Sequence, residues 1–325
     1  AVLNYHYDPK GNVRPWDRTL YIKVVRGFLK EGDTITVKFG DKSKGSPGMR
    51  LQTFCEESYE FHTLVDPIAT YCYQPMPEQP TIKIVPGPAE RFLAIGPTIR
   101  AVGEPFQIKI KGEDKWGNPT NLCDYEFDAI STCKIEGLPK KVTLKPGEFT
   151  ATLSNLRVQT AEDFTVEFTN DVNNIAFETN PIRIEEKPQS RHFWGDLHGQ
   201  SEETIGTNSA EAYFKFARDL AFVDVSGHQG NDFQITTDFW KHLDELCKKF
   251  NQDGKFIAIP GYEWSGNTGL GGDRNIYFPT EGRTLRRSSH ALVSDHSDIS
   301  TDCNSAKELF SAFAENDESD VVVYA

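Results

Sequence analysis

Three residues in the second half of the chain have side chains that could bind a metal ion. His198, His228 and Glu263 each lie within two residues of a glycine. Imidazole and carboxylate groups together are common ligands of zinc, manganese and iron. A metal ion with an open coordination position lowers the pKa of a bound water toward neutrality, so that this water can attack an ester. We therefore predict a metal-dependent hydrolase site built from these three residues.

Hydrophobic patterns predict alternating strands and helices in this part of the chain. The predicted strands span 193–197, 222–226, 256–260, 275–278 and 321–325, and the predicted helices span 209–221, 237–250 and 305–314. In the helix 209–221, the residues expected to face the core are Tyr213, Phe216, Ala217 and Leu220. Alternation of this kind is typical of parallel βα units, in a barrel or a doubly wound sheet. Active sites in such folds form at the C-terminal ends of the strands, where the three candidate ligands fall.

The first half of the chain has a different pattern. Apolar and polar residues alternate in runs such as 34–39 and 106–111, and turn sequences rich in glycine and proline separate the runs. This pattern predicts two β-sandwich modules, at 1–80 and 81–187, followed by a third domain at 188–325. The module 81–187 resembles the immunoglobulin-like repeats of bacterial surface and accessory proteins.

The motif around His198 resembles that of a known superfamily. The run from Asp196 to Ser201 is similar to the DLHxHS opening of the PHP superfamily, the polymerase and histidinol phosphatase group of metal-dependent phosphoesterases. The runs 194–201, 227–233 and 260–266 together resemble an uncharacterised-domain branch of it, over about residues 190 to 325. The resemblance implies a distorted seven-stranded β/α barrel that binds up to three metal ions. The expected fold class is therefore multidomain β plus α/β, with a partial barrel of PHP type after the β-sandwich modules.

The resemblance also implies a set of metal ligands. Matched one at a time to the family's motifs, these are His198, Gln200, His228, Glu263 and His290. Gln200 stands where the family has a second histidine, and glutamine is a weaker, neutral ligand. Gly227 stands where the family has an aspartate before His228. The remaining family ligands would lie beyond Ala325, and the apolar run 321–325 indicates a buried strand, so we expect the chain to continue as part of a longer protein.

Several other polar residues are candidates for catalysis or substrate binding. Asp196 and Asp232 are candidate catalytic residues, although an Asx turn at Asp196 and a loop turn at Asp232 are alternatives. The guanidinium groups of Arg274, Arg286 and Arg287 could bind an anionic substrate through paired hydrogen bonds. On a surface loop these arginines would simply be solvated.

Composition excludes some kinds of partner. The formal net charge of −13 opposes nucleic-acid binding, and no apolar run is long enough to cross a membrane. The six cysteines lack CxxC spacing, so reduced thiols are expected, and no signal peptide is visible at the start. These features predict a cytoplasmic protein with a small anionic substrate and a possible homo-oligomeric state.

Taken together, these patterns predict a hydrolase with two or three zinc, manganese or iron ions. Its substrate would be a phosphoester or a related anionic ester, by analogy with the PHP superfamily. One alternative is a non-catalytic binding protein with a degenerate barrel, which the substitutions at Gln200 and Gly227 would permit. Another alternative is a metal-dependent lyase or lactonase with the same site.

Overall fold

The structure is a computed structural model that describes residues 1–12, 17–266, 269, 271–316 and 318–325. These residues form two compact units, 1–84 and 85–325. The first border lies close to the domain border predicted at residue 80. The border predicted at residue 187 lies inside the second unit, so the sandwich and the mixed α/β region that follows it belong to one unit.

The described residues of the first unit form three two-stranded antiparallel sheets. Their strands pair as β1 (Val2–Asp8) with β2 (Thr19–Arg26), β3 (Glu56–Glu60) with β6 (Thr81–Ile84), and β4 (Leu64–Val65) with β5 (Gln74–Pro75). The run 34–39 forms no strand, and none of the described residues of this unit is buried. The β-sandwich expected for residues 1–80 is therefore wrong, because two-stranded sheets of exposed residues do not enclose a core.

The second unit begins with a β-sandwich. Its strands are β7 (Arg91–Ile95), β8 (Ile99–Ala101), β9 (Phe106–Glu113), β10 (Pro119–Thr120), β11 (Tyr125–Ile130), β12 (Ile135–Glu136), β13 (Lys141–Leu144), β14 (Thr150–Val158), β15 (Asp163–Phe164), β16 (Glu167–Asn170), β17 (Ile175–Glu178) and β18 (Ile182–Glu185). One sheet has the order β10-β9-β14-β12, with β7 also paired to β9, and another has the order β13-β11-β16-β17. Both sheets contribute to a single apolar core that includes Ile108, Phe127 and Phe168. The alternation at 106–111 correctly predicted β9.

The described residues after 187 form three α-helices and two small sheets. The helices are α1 (Ala210–Phe216), which continues into a π-helical turn at Ala217–Ala221, α2 (Thr237–Phe250) and α3 (Ala306–Glu315). The strands are β19 (Gly195–Gly199), β20 (Val225–His228), β21 (Ile257–Ile259), β22 (Gly261–Ser265), β23 (Asp273–Tyr277) and β24 (Val322–Tyr324). The helices pack on a core that includes Phe214, Trp240 and Trp264. No helix in the described parts of the chain is long and apolar enough to cross a bilayer.

The β/α barrel expected for residues 188–325 is wrong. Strands β19, β20 and β21 form a parallel sheet, but β22, β23 and β24 form a separate antiparallel sheet, and the described residues contain no closed barrel. The chain changes sheets at Pro260, between β21 and β22. Only residues 266–272 connect β22 to β23. Since a parallel crossover needs a dozen or more residues, this connection can only form a hairpin.

Two lysines of the sandwich hold the end of the first helix of the α/β region. The ammonium of Lys111 donates to the carbonyl of Leu220 at 2.7 Å and pairs with Glu113 at 2.9 Å. The ammonium groups of Lys109 and Lys111 lie 5.1 and 5.3 Å from the ring centre of Phe222. Cations are favourable at a helix C-terminus, where the last carbonyl groups lack partners. Phe222 precedes β20, so this contact anchors the strand that leads to the candidate site.

We predict that Lys111→Met destabilises the second unit by about 1–3 kcal/mol, because the buried Glu113 keeps only Arg91 as a cationic partner and the Leu220 carbonyl loses its donor. Urea unfolding followed by tryptophan fluorescence measures the change. The control is Lys134→Met, since Lys134 is an exposed lysine of the same sandwich. Equal unfolding midpoints for the two variants would contradict the anchoring role of Lys111.

Candidate functional site

A β-bulge in β19 sets the direction of His198. Gly195 and Asp196 pair with Val225 and Ser226 of β20, but the next pair is Gly199 with His228, so β19 contains one extra residue. Bulges of this kind bend a strand and redirect a side chain, and they are frequent beside functional sites. The bulge contains His198, whose side chain is 50% exposed.

The His198 imidazole faces the carboxylate of Glu263 on β22. The His198 Nε2 atom lies 3.7 Å from Glu263 Oε2. The same oxygen accepts a hydrogen bond from Asn231 Nδ2 at 2.8 Å, and Gln200 Nε2 lies 3.4 Å from it. We call His198, Gln200, Asn231 and Glu263 the acceptor cluster, because the other three side chains surround the Glu263 carboxylate, which accepts hydrogen bonds from the two amide groups. Burial raises the pKa of Glu263, and the nearby His198 opposes that shift.

Two amide oxygens next to Glu263 lack a donor. Asn231 Oδ1 and Asn275 Oδ1 are buried and accept no hydrogen bond from the described residues. Asn275 lies directly opposite Glu263 in the β22–β23 pair, so both side chains are on the same face of the sheet. Buried acceptors without donors are costly, and a bound cation or a donor group of a ligand would satisfy them.

The possible ligand atoms around Glu263 fit one metal ion with nitrogen and oxygen ligands. The site supplies one imidazole nitrogen, one carboxylate and the donor-free amide oxygens of Asn231 and Asn275, a combination compatible with manganese or zinc. Among the described residues, no group of three or more His, Cys, Asp or Glu side chains is arranged to hold a metal ion. A metal bound here would therefore depend on the amide oxygens as well as on His198 and Glu263. The binding of a second or third metal ion, predicted from the sequence, remains a prediction.

His228 lies outside the acceptor cluster. Its ring is buried, with Nε2 2.8 Å from the Ser201 hydroxyl, while the Gly230 N–H donates to Nδ1 at 3.3 Å. Since Nδ1 accepts a hydrogen bond, the proton of the neutral ring is on Nε2 and is donated to Ser201. Desolvation lowers the pKa of His228 to about 4, which keeps the ring neutral. Neither ring nitrogen has a free lone pair for a metal ion in this arrangement.

The two candidate catalytic aspartates both form hydrogen bonds within the fold. Asp196 Oδ1 accepts from the backbone N–H of His198 at 3.1 Å, which is the Asx-turn alternative. Asp232 is fully buried, and its carboxylate accepts from Ser265 N at 3.1 Å, from the Ser288 hydroxyl at 3.1 Å and from the Ser288 backbone N–H. Burial raises the pKa of Asp232 to about 6. Asp232 thus holds the end of β22 in place from inside the fold.

The first two candidate substrate-binding arginines do not face Glu263. Arg274 lies opposite Trp264, on the other face of the β22–β23 pair, and donates to the carbonyl of Asp273 at 2.8 Å. Arg286 is buried and donates to Glu318 at 2.9 Å. In this arrangement both guanidinium groups have structural contacts within the fold.

Arg287 and His290 belong to a separate ionic cluster. The buried Arg287 donates to Asp298 at 2.8 Å. His290 Nδ1 lies 2.6 Å from Asp302 Oδ2, and Nε2 lies 3.1 Å from Asp298 Oδ1. Both ring nitrogens are thus occupied by carboxylates, and the structure does not bring His290 to the acceptor cluster.

Two site residues were not predicted from the sequence. Asn231 and Asn275 were missed because asparagine is a common loop residue and carries no metal-ligand pattern by itself. The signal for Asn275 is the short glycine-rich connection at 266–272, which makes β22 and β23 a hairpin and puts Asn275 opposite Glu263. The signal for Asn231 is its position in the turn that follows His228.

Comparisons with known proteins give the chain relatives but no activity. Residues 171–324 match the family described as "Protein of unknown function (DUF3604)". An uncharacterised protein of Chlamydia pneumoniae is 25% identical over 272 residues, which is 81% of this chain and 43% of that protein. An uncharacterised protein of Chlamydia trachomatis serovar D is 24% identical over 267 residues, 79% of this chain and 42% of that protein. The chain thus spans less than half the length of these curated relatives.

One solved structure with a similarity to the chain is the D00-D0 domain of intimin. It has 11% sequence identity and a TM-score of 0.24, and the match covers 33% of this chain and 56% of that one. A similarity this low carries no argument about fold or function.

The glycine after His198 is required by close packing. A Cβ atom at Gly199 would overlap the ring of Tyr213 from α1. We predict that Gly199→Ala destabilises the second unit by about 1–3 kcal/mol, because overpacking displaces well-packed neighbours. Thermal unfolding measures the loss. Gly87→Ala is the control, since a Cβ there would meet its nearest neighbour at an ordinary 3.7 Å. Equal melting temperatures for the two variants would contradict the packing argument.

The buried, neutral His228 predicts a pH-dependent stability. Its pKa in the folded state, about 4, is below its ordinary value of 6.5, so its contribution is complete above pH 6.5 and is lost as the pH falls toward 4. This contribution is on the order of 3 kcal/mol. We expect His228→Gln to flatten the stability profile between these pH values. Urea unfolding at several pH values tests this. The control is His242→Gln, because His242 is an exposed residue of α2. Parallel profiles for wild type and His228→Gln would argue against a neutral His228.

Proposed function

We propose that the chain carries a metal-dependent hydrolase site in which His198 and Glu263 hold one divalent ion. The observation that carries this proposal is the approach of the His198 imidazole to the Glu263 carboxylate, at 3.7 Å, from strands of two different sheets. The unpartnered oxygens of Asn231 and Asn275 beside Glu263 support it, because a cation would satisfy them.

The chain's own residues preorganise this site. Asn231 holds Glu263 Oε2, and the Ser265 hydroxyl accepts from the same amide group at 3.0 Å. Asp196 fixes the backbone of the residue that carries the imidazole. When bound, the metal ion would supply a water with a lowered pKa and a positive charge near the reacting group. Groups held in place before the reaction need little reorganisation during it, which favours catalysis.

The proposed substrate is a phosphoester or a related anionic ester. This part of the proposal rests on the resemblance of the runs 194–201, 227–233 and 260–266 to motifs of the PHP superfamily. Divalent ions suit such substrates because they offset the negative charge that develops during hydrolysis. The activity of the longer relatives is unknown, so the reaction of the whole protein is likewise a proposal.

A second candidate is a binding protein without catalytic activity. It is favoured by one observation, that no three-residue group of His, Cys, Asp or Glu ligands exists among the described residues. Catalytic zinc sites commonly use three protein ligands. A binding protein would survive chelation with its ligand affinity intact, whereas the hydrolase would lose activity.

We predict that the 325-residue chain, purified without chelator or nickel, contains about one equivalent of zinc, manganese or iron by plasma mass spectrometry. His198→Ala and Glu263→Gln should each weaken metal binding by more than about 100-fold, since loss of even an outer-sphere partner costs 10–100-fold. The wild type should hydrolyse some phosphate or sulfate esters in a screen, and both variants should be inactive. His242→Ala, at an exposed histidine of α2, should retain metal and activity.

Unchanged metal content in His198→Ala would refute the site. Stoichiometric metal without turnover on any ester would instead favour the binding protein.

A further inference from the structure

The carbonyl groups of the β19 bulge accept hydrogen bonds from tyrosine side chains. The Tyr277 hydroxyl donates to the carbonyl oxygen of Leu197, within the bulge, at 2.6 Å. The Tyr213 hydroxyl lies 3.4 Å from the carbonyl oxygen of Asp196 in β19 and 3.2 Å from that of Gly227 in β20, and it accepts from Ser226 at 2.6 Å. A bulge leaves part of the strand ladder unpaired, and these hydroxyl groups supply hydrogen bonds there.

Tyr277 lies on the same sheet face as Glu263. Tyr277 and Asn275 are two residues apart on β23, and Asn275 lies opposite Glu263 on β22. Because side chains alternate between the faces of a strand, these three point in the same direction. One sheet therefore carries both the Glu263 carboxylate and the hydroxyl that binds the backbone next to His198.

The ring of Tyr277 is held by close packing. It is only 7% exposed, and a Cβ atom at Gly227 would lie 3.3 Å from its Cε1 atom. The absence of a side chain at Gly227 thus leaves room for this ring. Burial raises the pKa of Tyr277, so its hydroxyl keeps its proton and acts as a donor.

We propose that Tyr277 is a positioning residue whose hydroxyl holds the bulge so that His198 faces Glu263. The hydrogen bond to Leu197 joins the parallel sheet that carries His198 to the antiparallel sheet that carries Glu263. Without it, the ring still fills the space beside Gly227, but the bulge loses its connection to the sheet of Glu263. The consequence for catalysis rests on the proposed function, whereas the positioning itself does not.

The test measures contact between His198 and Glu263 without metal or substrate. The eight histidine rings are labelled with ¹³C, and the His198 signal is assigned by its loss in His198→Gln. In an otherwise wild-type chain, Glu263→Gln should shift the His198 ring signal. In a Tyr277→Phe background, the same change should shift it by about half as much or less, because the two groups are no longer held together.

The matched control is Tyr262→Phe. The Tyr262 hydroxyl is also buried and donates to a backbone carbonyl, that of Arg286, at 3.1 Å, but it does not contact β19. Its loss should lower stability while leaving the response of His198 to Glu263→Gln unchanged. If Tyr277 had only a structural role, the His198 signal would respond to Glu263→Gln equally in the Tyr277→Phe and Tyr262→Phe backgrounds.

An undiminished response in Tyr277→Phe would overturn the proposal, as would no response to Glu263→Gln in the wild type. If Tyr277→Phe does not fold, Gly227→Ala gives a second test, because its methyl group would lie 3.3 Å from the Tyr277 ring and shift it by a few tenths of an ångström, which should also reduce the response. A reduced response with no metal binding or hydrolysis would support the positioning role and refute the proposed function.

Discussion

The change of sheet at Pro260 is the constraint on which the candidate site depends. Before it, β21 continues a parallel sheet, and after it, β22 forms a hairpin with β23 across a connection too short for a helix. The hairpin puts Asn275 opposite Glu263 and turns Tyr277 toward β19. The site is therefore assembled between two sheets, and its geometry depends on the polar contacts that connect them.

Buried hydrogen bonds provide those contacts. Gln229 donates to the carbonyl of Ile276, and the Asp232 carboxylate accepts from Ser265 and Ser288, which lie in different parts of the chain. Each of these bonds is short-ranged and directional, so together they restrict the distance between β20 and β22 more tightly than apolar packing would. A further hydrogen bond, from Lys111 to Leu220, connects the end of the first helix to the sandwich.

Local elements could be predicted from the sequence, whereas their assembly could not. The helix 237–250 was predicted with the bounds that α2 has, because its apolar residues recur with helical spacing. In the first helix, Phe216 is exposed and Phe214 is buried, contrary to the predicted stripe, because the buried face runs through Ala210, Phe214 and Ala217 at helical spacing. The barrel was wrong because periodicity identifies strands but does not determine their direction.

The candidate site was partly predictable for a similar reason. Residue types identified His198 and Glu263, which do approach each other. They did not reveal that His228 forms a hydrogen bond with Ser201. Nor did they reveal that Arg286 pairs with Glu318 and Arg287 with Asp298. Those partners are distant in sequence and carry no motif. The bulge that redirects His198 is likewise a property of strand pairing, which no single segment encodes.

The most direct test of the account is anomalous diffraction from a crystal of this chain soaked in a manganese salt. We predict one strong peak within bonding distance of both His198 Nε2 and Glu263 Oε2, next to the amide oxygens of Asn231 and Asn275. A peak at the His228 or His290 ring, or no peak beside Glu263 at saturating manganese, would contradict it.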